Sequence, residues 1–290
     1  MRLRARVINA PLLSKMALSL VNLTKRYVLL FTPTHIHFIV GKSTLTSTLQ
    51  MFGQIMQDRI FEEYRLESSF GDKIYMEVAG DLLVRALRSA LSAVDVKVKL
   101  TKKDGWPMLA FYITNASKTG NRVYLTQDVP VRILPQQEAQ ELAEPVVGDQ
   151  QVHILLPPIQ DVRNIAERMK SLGSHIVVGA NMSGEFVLKI SADGAKVETS
   201  FKGLVNPELS QADGTPCSAL QTVPRERHNF AEVRVDMRDF IKFLHSSIVN
   251  PKHVVCCIVD GQSLLLYVYL GNGVDQDDGQ FVYYVPARAS

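Results

Sequence analysis

Four groups of residues in this 290-residue chain have types and spacings that could do chemistry. The first is IVGKST, in which Gly41, Lys42 and Ser43 follow an apolar run as they would in a phosphate-cradling loop. Such a loop needs G-x-x-x-x-G-K-[ST] so that backbone amides can wrap the phosphates, and its first glycine is replaced here by Ile36. The following TLTSTLQMF is β-branched and alternating, so the helix N-terminus that would complete an anion site is not expected. A P-loop-like phosphohydrolase using Lys42 and Ser43 is kept only as an alternative. The second group is His253 with Cys256 and Cys257; adjacent strand residues point to opposite faces, so both thiols could not ligate one ion, and buried structural cysteines are the better reading. The third, Asp275, Asp277 and Asp278, lacks the fixed glycine and closing glutamate of a calcium loop and reads as solvated turn acids. No H-x-x-x-H, C-x-x-C or G-x-S-x-G occurs, and the residues call for no metal and no cofactor. The fourth group is a set of cations at helical spacing, each of which alone is as readily a solvated surface charge.

The elements that would carry these cations are legible from apolar periodicity. Within KIYMEVAGDLLVRALRSALSAVDVKVKLTKKDGWPMLAFYI, Lys73 to Ile113, the order is strand, helix, strand, turn, strand. Leu82, Leu83, Ala86, Leu87, Ala90, Leu91 and Val94 make its buried helical face, leaving Arg85, Arg88, Ser89 and Ser92 outside. The plan returns from Ala231 to Leu270, with Phe240, Ile241, Leu244 and Ile248 inward and Arg238, Lys242 and His245 outward. A second pair, from Leu3 and from Val152, repeats strand, helix, strand, turn, strand. The first of these helices buries Leu12, Leu13, Met16, Leu20 and Leu23 and exposes Lys15; the other buries Val162, Ile165, Ala166, Met169 and Leu172 and exposes Arg163, Glu167, Arg168 and Lys170. Four amphipathic helices among a dozen or more strands predict two similar α+β domains.

Length and composition allow two cores, and an odd cysteine count with an adjacent pair excludes a secreted disulfide framework. No apolar run reaches a membrane span. The net charge is only +3, yet no acid precedes Asp58 while Arg2, Arg4, Arg6, Lys15, Lys25, Arg26 and Lys42 do. This basic start is either a removable presequence or a strand and helix placed against a polyanion; a presequence should not take part in an internal duplication, which favours the second. Arg2 to Val7 alternates arginine with apolar residues, as a strand with one solvated face does. Trp106, before Pro107 at a hairpin turn, reads as packing of that turn. PQQEAQELAEPVVGDQ is polar, acidic and bracketed by prolines, so residues 1–134 and 152–290 form the two domains, 135–151 the linker, and 204–229 a mobile insertion in the second.

Several segments in this order carry a resemblance: MRLRARV, EPVV with HILLP, RMKSLGSHIVV with GEFVLKI, ETSFKGL with NP, VRVDMRDFIKFL with NPKHVV, and YYVPA. Together they resemble the Hus-type subunits of the heterotrimeric checkpoint DNA clamp, the PCNA-like nine-one-one ring, from Met1 to Ala287. The resemblance implies two sliding-clamp domains, each with two inner helices on antiparallel sheet, and a non-catalytic subunit that encircles duplex DNA as a platform for repair and checkpoint signalling proteins. It implies Lys15, Arg85, Arg88, Arg163, Arg168, Lys170, Arg238 and Lys242 as the DNA-facing cations, and their recurrence on all four helices supports the set. Glu167 and Asp239 lie on the same polar surfaces and make the contact weak. It implies two other clamp-like subunits as partners, a separate clamp-loader ATPase, and the nucleus as the place of action. In a clamp the open sheet edges are the junctions, and the candidates are Arg122, Tyr124 and Thr126 in one domain and Lys196, Glu198 and Ser200 in the other. The remaining alternative is a DNA-independent interaction scaffold.

Overall fold

The computed structural model describes residues 1–41, 49–68, 71–117, 121–192, 195–207, 226–270 and 279–288. Lys42, Ser43 and the acids Asp275, Asp277 and Asp278 lie outside the described residues, as does most of the 204–229 insertion. The described chain divides into two compact units, with Met1 to Gly41, Phe52 to Ala143 and residues 279–280 in one, and Leu49 to Met51, Glu144 to Leu270 and Phe281 onward in the other.

In the first unit the order is β1 (Arg2–Val7), α1 (Ala10–Val21), β2 (Arg26–Phe31), β3 (His35–Val40), β4 (Gln50–Met56), β5 (Phe61–Glu67), β6 (Ile74–Ala79), α2 (Gly80–Ala90), β7 (Asp95–Lys103), β8 (Trp106–Ala116) and β9 (Arg122–Ile133), closed by a short α3 (Gln136–Gln140). The second runs β10 (Val152–Leu155), α4 (Ile159–Met169), β11 (His175–Ala180), β12 (Phe186–Ala192), β13 (Ala195–Phe201), β14 (Ala231–Asp236), α5 (Met237–Leu244), β15 (His253–Val259), β16 (Ser263–Tyr269) and β17 (Gln280–Pro286).

The spatial orders repeat. In the first unit β4-β3-β2-β6 is followed by β9-β8-β7-β1-β5; in the second, β13-β12-β11-β14 matches the first run and β17-β16-β15-β10 the second. The place of β5 beside β1 is taken in the second unit by Val205, whose carbonyl accepts the Leu155 N–H at 2.8 Å. The fold is α+β with two similar domains, and the duplication read from the sequence is a duplication of topology.

Each unit packs a helix pair, α1 on α2 and α4 on α5, against sheet. Asn9 caps α1 by accepting from the Leu12 N–H at 3.1 Å, and Asp236 caps α5 through the Arg238 N–H at 2.8 Å, each satisfying an amide that would otherwise lack a helical partner. Leu13, Met16, Ala17 and Leu20 of α1 and Leu83, Val84, Ala86 and Leu87 of α2 are buried. Burial of each large side chain is worth about 1.5–3 kcal/mol, so this apolar stripe holds the helices against the sheet. Gly80 opens α2 where a Cβ would lie 2.8 Å from the Tyr27 ring and 2.9 Å from Val21, which is why the crossing of strand, helix and ring tolerates no side chain there.

The helix boundaries correct parts of the periodicity reading. Because α2 ends at Ala90, Leu91 and Val94 are 49% and 65% exposed, and Val84 takes an inner place while Leu82 is only half-buried. Leu172, beyond the end of α4, is exposed, and Ile248 sits half-buried in the 3-10 turn His245–Val249. Trp106 does not pack its turn: it is 70% exposed. Ile36, in place of the missing glycine, is a buried residue of β3 paired across β2, so the chain before Gly41 is strand rather than loop.

Candidate nucleic-acid and subunit interfaces

In the first unit, the helix face away from the core carries Lys15, Arg85 and Arg88, all exposed and, among the described residues, without an ion pair. Arg85 and Arg88 are three apart on α2 and so share one stripe, about 5–6 Å between Cβ atoms. Exposed Asp81 heads the same stripe one turn earlier, so the face is basic without being uniformly so.

In the second unit, α4 exposes Arg168 and half-buries Arg163, and Lys170, the residue just past its C-terminus, is exposed. Lys170 lies 3.9 Å from Glu167. The imidazole of His245 is held below its ordinary pKa by burial first and then by Arg163 and Lys170, with Glu167 opposing, so these groups meet at one end of the helix pair. Arg238 is exposed at the start of α5 and its guanidinium has no ion pair among the described residues, whereas Lys242 is half-buried with its ammonium 3.5 Å from the Asp239 carboxylate. Asp239 corrects the sequence reading, since it is 3% exposed and belongs to the interior rather than to the polar surface. The buried carboxylate explains why Lys242 folds back: a charge removed from water needs a counter-charge at hand. Lys242 therefore has a structural duty that Arg85 and Arg88 do not.

The candidate edges differ in kind. β9 is a twelve-residue strand whose Arg122 to Pro130 pairs with β8 while only Val131 to Ile133 pairs with β6. Among the described residues its first half has one neighbour, and there Arg122, Tyr124 and Thr126 alternate with Val123 and Leu125, all exposed. Among the described residues β13 pairs only with β12 and ends its four-stranded sheet, with Lys196, Glu198 and Ser200 exposed. Glu198 lies 3.9 Å from Lys189, whose closer partner is Glu232 at 2.8 Å. Sequence reasoning passed over Val123 and Leu125, although the run RVYLT already alternates polar and apolar residues.

Among the described residues no group of His, Cys, Asp or Glu has the disposition to hold a metal ion. Cys256 and Cys257 are fully buried because both faces of β15 are covered, and burial raises both thiol pKa values. His253 is exposed.

Two domains of one topology, each a helix pair on antiparallel sheet, define the sliding-clamp class. The structure matches that of proliferating cellular nuclear antigen from Entamoeba histolytica with a TM-score of 0.71 over 99% of both chains, a likeness of fold at 13% sequence identity. More narrowly, residues 1–289 match the family described as Hus1-like protein. The checkpoint protein hus1 of Schizosaccharomyces pombe is 31% identical over 285 residues, 98% of each chain, and checkpoint protein HUS1 of Homo sapiens is 30% identical over 292 residues, 99% of each. The chain belongs to the Hus1-like family. It is a checkpoint clamp subunit that partners other clamp subunits, and it is not an enzyme.

Proposed function

We propose that this subunit closes, with two unlike clamp chains, into a ring around duplex DNA in the nucleus. There it serves as a platform for repair and checkpoint signalling proteins. The observation that supports this reading is the recurrence, on the outer side of both helix pairs, of cations without an ion pair among the described residues: Lys15, Arg85 and Arg88 in one domain, Arg163, Arg168 and Arg238 in the other. Lys170 and Lys242 complete the set with their charges shared with Glu167 and Asp239. Arginines and lysines on helices reach phosphates, which carry no sequence information, so the contact is sequence-tolerant and permits sliding. Retention then comes from closure of the ring, and a separate loader ATPase opens it.

The test is topological. The subunit assembled with its two clamp partners and loaded onto closed circular DNA should remain bound through a high-salt wash and be lost when the circle is linearised. Equal loss from circular and linear DNA would refute encirclement and favour an interaction scaffold.

A further inference from the structure

The arginines of β1 that gave the N-terminus its basic character do not share the helix side. Leu3, Ala5 and Val7 are buried, and in the same sheet Val98, Leu109 and Phe111 line a small apolar cavity together with Leu13 of α1 and Leu83 of α2. The alternate residues, Arg2, Arg4 and Arg6, therefore stand on the face of the sheet turned away from the helices.

Register makes that face unusual. Arg4 is directly opposite Arg65 on β5 and directly opposite Lys99 on β7, so three cations stand in a row across three adjacent strands about 4.8 Å apart. Like charges directly opposite destabilise a sheet. The acids of the face do not relieve them. Glu67 lies 3.7 Å from Arg2, Glu62 and Asp95 lie 3.2 and 2.9 Å from Arg6, and Asp128 pairs with Lys103. Glu63 adds its field to Arg6. Among the described residues Arg4, Arg65 and Lys99 form no ion pair.

Aromatic rings stand on the same face. The Lys99 ammonium is 5.3 Å from the centroid of the Tyr112 ring, which is itself 37% exposed. Tyr124 is 74% exposed and sits diagonally from Tyr112, since Tyr112 pairs with Thr126 and Thr114 with Tyr124. Trp106 lies on the same side of β8 as Tyr112, opposite Lys103. It stands four positions before Ala110, the partner of Lys99, which is about 14 Å along a strand.

We infer that this outer face of the first domain's sheet is a second nucleic-acid surface, for single-stranded DNA. The cation row supplies phosphate contacts, and Tyr112 and Trp106, which lie on β8 away from the candidate junction strand, supply stacking platforms. An acidic peptide would use the cations but not the rings, whereas a single strand uses both, because every base has a π-face and its backbone is anionic. The surface is distinct from the helix faces proposed to meet duplex DNA, and it stands whether or not the ring encircles a duplex.

The test uses the full chain, a labelled twenty-nucleotide oligothymidine and the fluorescence of Trp106, the protein's single tryptophan. The oligonucleotide should quench Trp106. R4Q/R65Q should weaken binding at least fivefold and lower the slope of log affinity against log salt by about 1.4, from ~0.7 per single-strand phosphate contact. A control removing the same charge elsewhere, K25Q with R227Q, should change affinity less than twofold. Tyr112→Ala should weaken binding at least fivefold with no change in the salt slope. The melting temperature of R4Q/R65Q should hold or rise, because the opposed charges are gone. The inference fails if R4Q/R65Q loses no more than the control, or if its melting temperature falls along with binding, which would make the arginines structural. It also fails if Trp106 is unquenched while a polyglutamate peptide displaces the DNA, which would identify an acidic protein as the ligand.

Discussion

At the scale of residues, two cations with the same formal charge have different duties. Arg85 and Arg88 are exposed with no ion pair among the described residues, so charge reversal of both should leave unfolding free energy within about 0.5 kcal/mol per site. On the proposed function, the same double variant should weaken duplex association of the assembled ring for any sequence. It should also lower the salt slope by about 1.8, from ~0.9 per phosphate. A variant that unfolds, or that keeps the full slope, would contradict the placement of those charges. Lys242 is the opposite case. Lys242→Met keeps the side chain's stem but removes the ammonium beside buried Asp239, and denaturant unfolding should show a loss on the order of 1–3 kcal/mol. The contrast was not legible in the sequence: helical period put both Lys242 and Asp239 outside, whereas the structure half-buries the first and buries the second, because spacing says nothing of how far a neighbouring strand and turn rise around a short helix. Leu91, Val94 and Trp106 failed for a related reason, since a helix that stops one turn early and a hairpin tip with nothing above it leave apolar side chains in water.

At the scale of elements, strand alternation and helix period were enough to recover the duplicated order, because each has a period that one buried face enforces. What the pattern could not show was pairing register, and with it the row of Arg65, Arg4 and Lys99, which are distant in sequence and meet only through antiparallel partners. The two edges also bear on assembly. Arg122 on β9 could find an opposite charge on β13 only in Glu198, which Lys189 already approaches, so self-pairing has little electrostatic support. Sedimentation at micromolar concentration should therefore show the chain as a monomer that enters a three-subunit particle only with other clamp chains; a stable trimer of this chain alone would refute the heterotrimer. Within the second domain, Gly184 holds the β11–β12 turn at φ +80°, and a Cβ there would lie 2.3 Å from the Leu204 carbonyl oxygen. Because the obstruction is backbone and the φ disfavours a side chain, Gly184→Ala should cost at least 2 kcal/mol in denaturant unfolding.

At the scale of the whole molecule, ionisation bounds the stable range from both sides. Burial, chiefly, raises the pKa of Tyr27, Tyr64, Tyr283 and Tyr284, and that of Tyr267 to about 12. Above pH 10 the unfolded chain releases these protons while the folded chain keeps them. Stability should thus fall between pH 10 and 12, by about 1.4 kcal/mol per pH unit for each tyrosine still protonated. The histidines work in the other direction. Burial lowers His37, His153 and His245, so below pH 6.5 the unfolded chain takes up protons that the folded chain refuses, and stability should decline again. Chemical denaturation at pH 5, 7.5 and 11 should give the greatest stability at 7.5. The division of β9 between two neighbours has a mechanical consequence. On the proposed assembly, a partner strand laid along Arg122 to Gln127 rests on the half bound only to β8, while the far end is fastened by β6 and continues into Leu134, wedged among Val28, Leu30 and Ile39. Pulled along the strand, such a junction shares the load over all its hydrogen bonds at once; levered from the Arg122 end, it parts one bond at a time. A loader that pries needs far less force than a DNA that tugs.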